Sequence, residues 1–421
     1  MHKKITLENG LRIVLASKEE SFSTTTLVLV GAGSEYETKE TNGISHFLEH
    51  LCFKGTKNRP TSFDITSELD HIGAVYNAFT GTEYTGYFAK ATPEHLDKII
   101  DIISDMYLNP LIPPSEIEKE RGVIIEEINY YEDTPMRKVQ ELFTNLLYKD
   151  QPAGWDIAGR KEIIKKLQRE DFLRYRDLYY LSKNTLVVIA GSFNEKNVVE
   201  ILKDKFKDIK EGFKKEKPIT IESQSKPEVL IKTKDLDQTH IVLGVRAYNL
   251  FDKRRFSLEL LSNILGGGMS SRLFQRIREE LGACYYINAG ANLSIDHGYL
   301  AVSAGIDNRR VEEIIVAVLQ EINKIKNELV SDKELIRAKN CLIGNMYLGL
   351  ESSDELASFY GSQEIIKNKI MEPEEIKIKI ESVTADEIKE VAQDIFKNNK
   401  LNLALIGPVK DQEKIEKILT F

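Results

Sequence analysis

The chain has 421 residues, which is too long for one ordinary hydrophobic core and predicts two domains. Its composition, 42% hydrophobic and 29% charged with 11 prolines, is that of a folded globular protein and excludes a low-complexity or disordered chain. A formal net charge of −8 offers no basic field to a phosphate backbone, so nucleic acid is excluded as the expected partner.

From the N-terminus, Met1-His2-Lys3-Lys4-Ile5-Thr6 turns polar at Glu8-Asn9-Gly10 before any apolar run long enough for a signal peptide. No apolar stretch reaches 18 residues, so no membrane span is expected. A strand pair turns about Asn9-Gly10, and the apolar run 24–30 reads as a buried strand. A helix is predicted over 43–54, stopped by Gly55, and another near 62–72. A hairpin of 75–80 and 83–89 follows about Gly81, then a helix opened by Thr92-Pro93 as cap and first residue. Helices dominate to about residue 180, and a strand over 184–190 closes the half.

Between 210 and 227 the sequence turns polar and loses periodicity around Lys214-Lys215-Glu216-Lys217-Pro218, which reads as a linker. The predicted division is 1–212, a linker at 213–228, and 229–421. Beyond the linker the order of elements repeats: a strand at 240–245, helices at 255–265 and 273–280, a strand pair at 285–293 and 299–304, then helices from Val311. The expected fold class is α+β, with two homologous domains, each a mostly antiparallel β-sheet packed with helices on one face. Cys52, Cys284 and Cys341 are too scattered for a disulfide framework or a CxxC metal site, and free thiols predict a reducing, cytoplasmic setting.

The chemistry concentrates in His46-Phe47-Leu48-Glu49-His50. At ~100° per residue the two histidines lie about 40° apart on a helix and Glu49 about 60° to the other side of His46, so all three point one way. Two imidazoles at i and i+4 can bite one Zn²⁺, and the carboxylate beside them can take a proton from water on the metal. Such a string also arises by chance on a polar helix surface. A catalytic zinc needs a third protein ligand from another element. The predicted helix after Pro113-Pro114, opened by a Ser115/Glu118 capping box, offers Glu120 and Glu127 two turns apart on a face shared with Val123, Ile124 and Tyr131, while Glu126 faces outward. On spacing alone a solvated helix face remains the alternative. His2, His71, His95, His240 and His297 have no partners at ligand spacing and read as surface or structural.

The stretch from Gly43 to His50, continuing to Phe53-Lys54-Gly55-Thr56, resembles the pitrilysin-like family of inverted-motif zinc peptidases, in the version shared by mitochondrial processing peptidase β subunits and short bacterial relatives. The resemblance covers essentially the whole chain. It implies the family's metallohydrolase fold and a Zn²⁺ cofactor held by His46, His50 and, after 76 intervening residues, Glu127. It implies Glu49 as the base that activates water, and Glu120, seven residues before Glu127, as the supporting carboxylate.

In the second half, Gly266-Gly267-Gly268-Met269-Ser270-Ser271-Arg272-Leu273-Phe274 runs into Arg278 and then Tyr285. By themselves these read as a glycine-rich link, a surface arginine and a half-buried tyrosine. The resemblance implies that Arg278 and Tyr285 hold substrate and serve catalysis, the tyrosine hydroxyl facing the developing oxyanion. It also implies that Asn77, Ala78, Phe79 and Thr80 belong to an edge strand on which a peptide adds as an extra strand, though an ordinary hairpin strand would look the same.

A metalloendopeptidase acting on oligopeptides or unfolded, presequence-like segments is therefore expected, as a homodimer closing like a clamshell with each site completed by Arg278 and Tyr285 of the other copy. The alternatives within the family are a catalytic subunit that works only with a zinc-free partner, and a non-catalytic structural or binding subunit of the same fold.

Overall fold

The computed structural model describes residues 2–421. A first sheet of six strands is built from β1 (Lys3–Thr6), β2 (Arg12–Ser17), β3 (Thr24–Val30), β4 (Val75–Thr80), β5 (Thr85–Ala91) and β6 (Thr185–Gly191), in the order β1-β2-β6-β3-β5-β4. A second sheet of five contains β7 (Glu228–Thr233), β8 (Gln238–Arg246), β9 (Cys284–Leu293), β10 (Gly298–Asp307) and β11 (Leu401–Gly407), in the order β7-β11-β8-β10-β9. Without β1 the two orders correspond strand for strand. β2 runs parallel to β6 as β7 does to β11, and every other neighbouring pair is antiparallel. The repeat read from the sequence is a repeat of sheet topology.

The chain forms two compact units, each assembled from separate stretches. The first comprises the chain through Ile128, Asp156–Pro218 and Tyr347–Glu372; the second comprises Asn129–Trp155, Ile219–Met346 and Pro373–Phe421. In the first unit all seven residues of β3 are buried, because both sheet faces are covered. One face packs with α1 (Ile44–Cys52), α2 (Ser62–His71) and α3 (Leu96–Leu108) in a single large core. The other receives the helix Ser353–Lys367, whose Ala357, Tyr360 and Ile365 pack on Leu27, Leu29, Leu186 and Val188.

The second unit has its own equivalent. Val139, Phe143 and Leu147 of a helix spanning Pro135–Tyr148 pack on Val242, Ala301, Ala404 and Ile406 of the second sheet. The sequence reading placed helices on one face of each sheet. The second face is closed by a helix remote in sequence, which neighbour-by-neighbour reading cannot assign.

Three local readings are corrected. β7, with the sequence Glu-Val-Leu-Ile-Lys-Thr, was not predicted as a strand, because its charged ends and half-exposed positions mask the alternation. The helix predicted after Pro113-Pro114 begins two residues earlier than the Ser115 box implies, at Pro114, and spans Pro114–Glu132. Proline's fixed φ suits the first helical position, the amides of Glu116 and Ile117 bond back to Pro113 O, and Glu118 grips Arg121 at 2.9 Å. Val123, expected among the apolar neighbours of Glu120 and Glu127, is 50% exposed.

Helix α1 is the element that positions the motif. Ile44, Phe47, Leu48 and Leu51 drive its apolar face into the core, which leaves His46, Glu49 and His50 on the opposite side. Its N-cap is Gly43, held at φ 95° without a side-chain cap. A Cβ there would stand 2.8 Å from Ala158 O, so glycine is required.

The missing cap is supplied from outside the helix by Glu37. Its Oε2 accepts from Gly43 N at 2.7 Å and Asn42 Nδ2 at 3.1 Å, and its Oε1 accepts from Ser45 N at 2.9 Å. Burial pushes the Glu37 carboxyl up to about 7, while the amides of Gly43 and Ser45 pull the other way. Glu37→Ala is expected to strand these donors in the core and lower stability by about 3 kcal/mol, measured as a reduced midpoint in urea titration.

Candidate metal centre

The second structural support of the site is the helix Pro114–Glu132. Ile117 and Ile124 anchor it in the core. Arg121, buried against Phe47, donates to Leu167 O at 2.9 Å and to Ile164 O, which fixes the helix in rotation. Glu120 and Glu127 consequently face α1.

The three expected ligands converge. Glu127 Oε2 lies 3.6 Å from His46 Nε2 and 3.7 Å from His50 Nε2, and the ligand atoms of all three residues lie within 4.8 Å of one another. Donors on a tetrahedral ion with arms of ~2.0–2.1 Å stand roughly 3.3 Å apart. Two imidazole nitrogens and one carboxylate oxygen at these separations fit a zinc ion after small side-chain movements.

Glu120 lies behind the site. Its Oε2 is 3.1 Å from His50 Nδ1, and its Oε1 is 2.7 Å from Lys54 Nζ. An acceptor at Nδ1 selects the tautomer whose Nε2 lone pair faces Glu127, the form a metal requires. Burial raises the Glu120 carboxyl, but the hydrogen bonds from His50 and Lys54 outweigh it and hold the group below the usual carboxylate range. Burial lowers His50, while Glu120, Glu49 and Glu127 together raise it above the usual imidazole value.

Glu49 is 9% exposed and accepts from Thr80 Oγ1 at 2.5 Å. Burial raises its carboxyl above the usual range against the opposing pull of Thr80 and His50, with Glu127 adding to the rise. A base near a metal site profits from such a rise. A cavity of about 310 Å³ lined by Glu49, His50, Phe53, Lys54, Tyr76 and Asn77 opens beside it, between α1 and β4.

Of the other expected residues, Asn77, Ala78, Phe79 and Thr80 all lie on β4, which pairs only with β5 and forms the sheet's edge. Asn77 lines the cavity, and Ala78 is buried. Arg278 and Tyr285 belong to the second unit. Arg278 lies in the helix predicted at 273–280, which over Phe274–Glu280 is π-helical; its guanidinium stands 5.9 Å from the Tyr285 ring. Tyr285 is 73% exposed, more than the half-burial read from sequence.

Sequence reasoning missed Glu37 and Lys54, and it valued Thr80 only for its backbone. The signal for Glu37 was a helix opening on glycine, which has no side chain to cap its first amides. Lys54 lies four residues beyond His50, close enough along the chain to reach the same carboxylate.

Two family models match the chain: "Insulinase (Peptidase family M16)" over residues 12–161 and "Peptidase M16 inactive domain" over residues 166–342. The "uncharacterized zinc protease YmxG" of Bacillus subtilis is 32% identical over 413 residues, covering 97% of this chain and 98% of its own. An "uncharacterized zinc protease" of Rickettsia felis is 35% identical over 408 residues, covering 96% of each chain. Among solved structures, a protease from Helicobacter pylori superposes with a TM-score of 0.90 at 24% identity, covering 97% of this chain and 99% of its own, a likeness of fold. With two family domains in sequence order and relatives alike over nearly their whole length, the chain belongs to the M16 family of peptidases.

Proposed function

We propose that this chain is a zinc-dependent endopeptidase that hydrolyses oligopeptides or unfolded, presequence-like segments, with His46, His50 and Glu127 as metal ligands and Glu49 as general base. The observation that carries the reading is the convergence of two imidazoles and a carboxylate from separate helices, with a buried carboxylate beside them. The names of the relatives, zinc proteases, support it.

A zinc ion held there supplies a Lewis acid for water and for the scissile carbonyl. Glu49 takes the proton of the attacking water and hands it to the leaving amine nitrogen. Glu120 keeps His50 in the tautomer that presents Nε2, and Lys54 balances the charge of Glu120. The open edge of β4 offers unpaired main-chain groups to an extended peptide, so the backbone common to all peptides gives affinity and the cavity between α1 and β4 receives a side chain.

Arg278 and Tyr285 are assigned to substrate: the guanidinium to a carbonyl, the hydroxyl to the oxyanion. The reading extends to a homodimer in which each copy's Arg278 and Tyr285 complete the other copy's site, supported by one chain carrying both sets of residues. The free cysteines support a cytoplasmic setting. No helix among the described residues is long and apolar enough to cross a membrane.

Cleavage of a mixed peptide library, followed by mass spectrometry, tests the reading directly. Zinc-loaded wild type is expected to cut many peptides and to stop on chelation, whereas Glu49→Gln binds zinc normally and loses roughly 10²–10⁴-fold in kcat. A wild type that leaves every peptide intact with zinc bound would refute the assignment. Glu120→Gln is expected to weaken zinc binding roughly 10- to 100-fold, read by competition with a fluorescent chelator. For the trans arrangement, an inactive Glu49→Ala chain mixed with an inactive Arg278→Ala chain is expected to regain activity; proven mixed dimers that stay inert rule it out.

A further inference from the structure

Strand alternation places Tyr76, Ala78 and Thr80 on one face of β4. Tyr76 and Ala78 pack into the core that α1 completes, so Thr80, two residues on, is directed at α1 as well. The residue it meets is Glu49, through the 2.5 Å bond from the threonine hydroxyl. Among the described residues no other hydrogen-bond donor reaches the Glu49 carboxylate.

Glu49 is mostly buried and has three rotatable side-chain bonds, so a single bond decides where its two oxygens point. Threonine is suited to this task because its branched Cβ leaves few χ1 wells and its strand backbone is fixed by pairing along β5. Serine offers the same donor with a looser rotor. Valine offers the same shape and no donor.

Resting on the peptidase reading above, we infer that Thr80 is a positioning residue for the general base: its hydroxyl holds Glu49 Oε2, leaving Oε1 to receive the proton of the attacking water. The same residue ends the edge strand on which a peptide adds. Orientation of this kind acts on the chemical step, since misplacing a catalytic group by about 1 Å costs on the order of 10²-fold in rate.

The test uses the full chain with Thr80→Val and Thr80→Ser. In crystals of the metal-free proteins, wild type and the serine variant are expected to show Glu49 in one orientation on the residue-80 hydroxyl, and the valine variant to show it released or in several rotamers. In the zinc-loaded proteins, Thr80→Val is expected to lose roughly 10- to 100-fold in kcat with KM and zinc content little changed, and Thr80→Ser to recover most of that loss. The inference is overturned if Glu49 keeps its orientation without the hydroxyl, if the valine variant loses in KM alone, or if serine is as impaired as valine. An inert zinc-loaded wild type would instead overturn the peptidase reading, and the crystals would still decide the contact between Thr80 and Glu49.

Discussion

A nine-residue helix cannot hold its shape in water by its own hydrogen bonds, and the candidate centre depends on one. Its apolar side is buried without remainder, its N-terminus is capped by a carboxylate from a preceding turn, and its polar side is engaged by a carboxylate from the helix Pro114–Glu132. Each of these contacts comes from a different part of the chain. The histidines therefore stand in fixed positions because the surrounding fold fixes them, and the helix's own propensity has little part in it.

Three glutamates share this small region, and their surroundings separate them. Glu120 is tied to His50 and Lys54 and stays ionised; Glu49 is buried on a single hydroxyl and is raised; Glu127 is the more exposed, turned toward both imidazoles. Carboxylates brought this close repel one another unless cations balance them. Lys54 answers Glu120 alone. A divalent ion on the two imidazoles and Glu127 would complete the electrostatics, and the separations between donor atoms are compatible with one.

The duplicated sheet shows how one topology serves two ends. β4 and β9 are equivalent edge strands, and each sheet is closed on its second face by a helix from the other half of the sequence. In the first unit the helix after the third strand carries His46, Glu49 and His50. The corresponding helix of the second unit, Arg255–Gly266, follows β8 with the sequence RFSLELLSNILG and carries no histidine. Its polar resources lie later, at the π-helical turn of Arg278 and the exposed Tyr285. The family model covering this region is itself called an inactive domain.

What the sequence by itself determined was local: most of the strand and helix order apart from β7, and the clustering of His46, Glu49 and His50, because periods of 2 and 3.6 residues leave their mark along the chain. Spacing also narrowed the expected third ligand to the Glu120/Glu127 helix, and the family resemblance pointed to Glu127. Tertiary structure alone decided which carboxylate meets which imidazole, that Glu37 caps α1 from outside, and that Thr80 reaches Glu49 with its side chain as well as lending its backbone to an edge. It also decided that Pro135–Tyr148 and Ser353–Lys367 each close a sheet from the other half of the sequence. These contacts join residues far apart along the chain, and no local period records a pairing whose energy arises only when two distant segments are buried together.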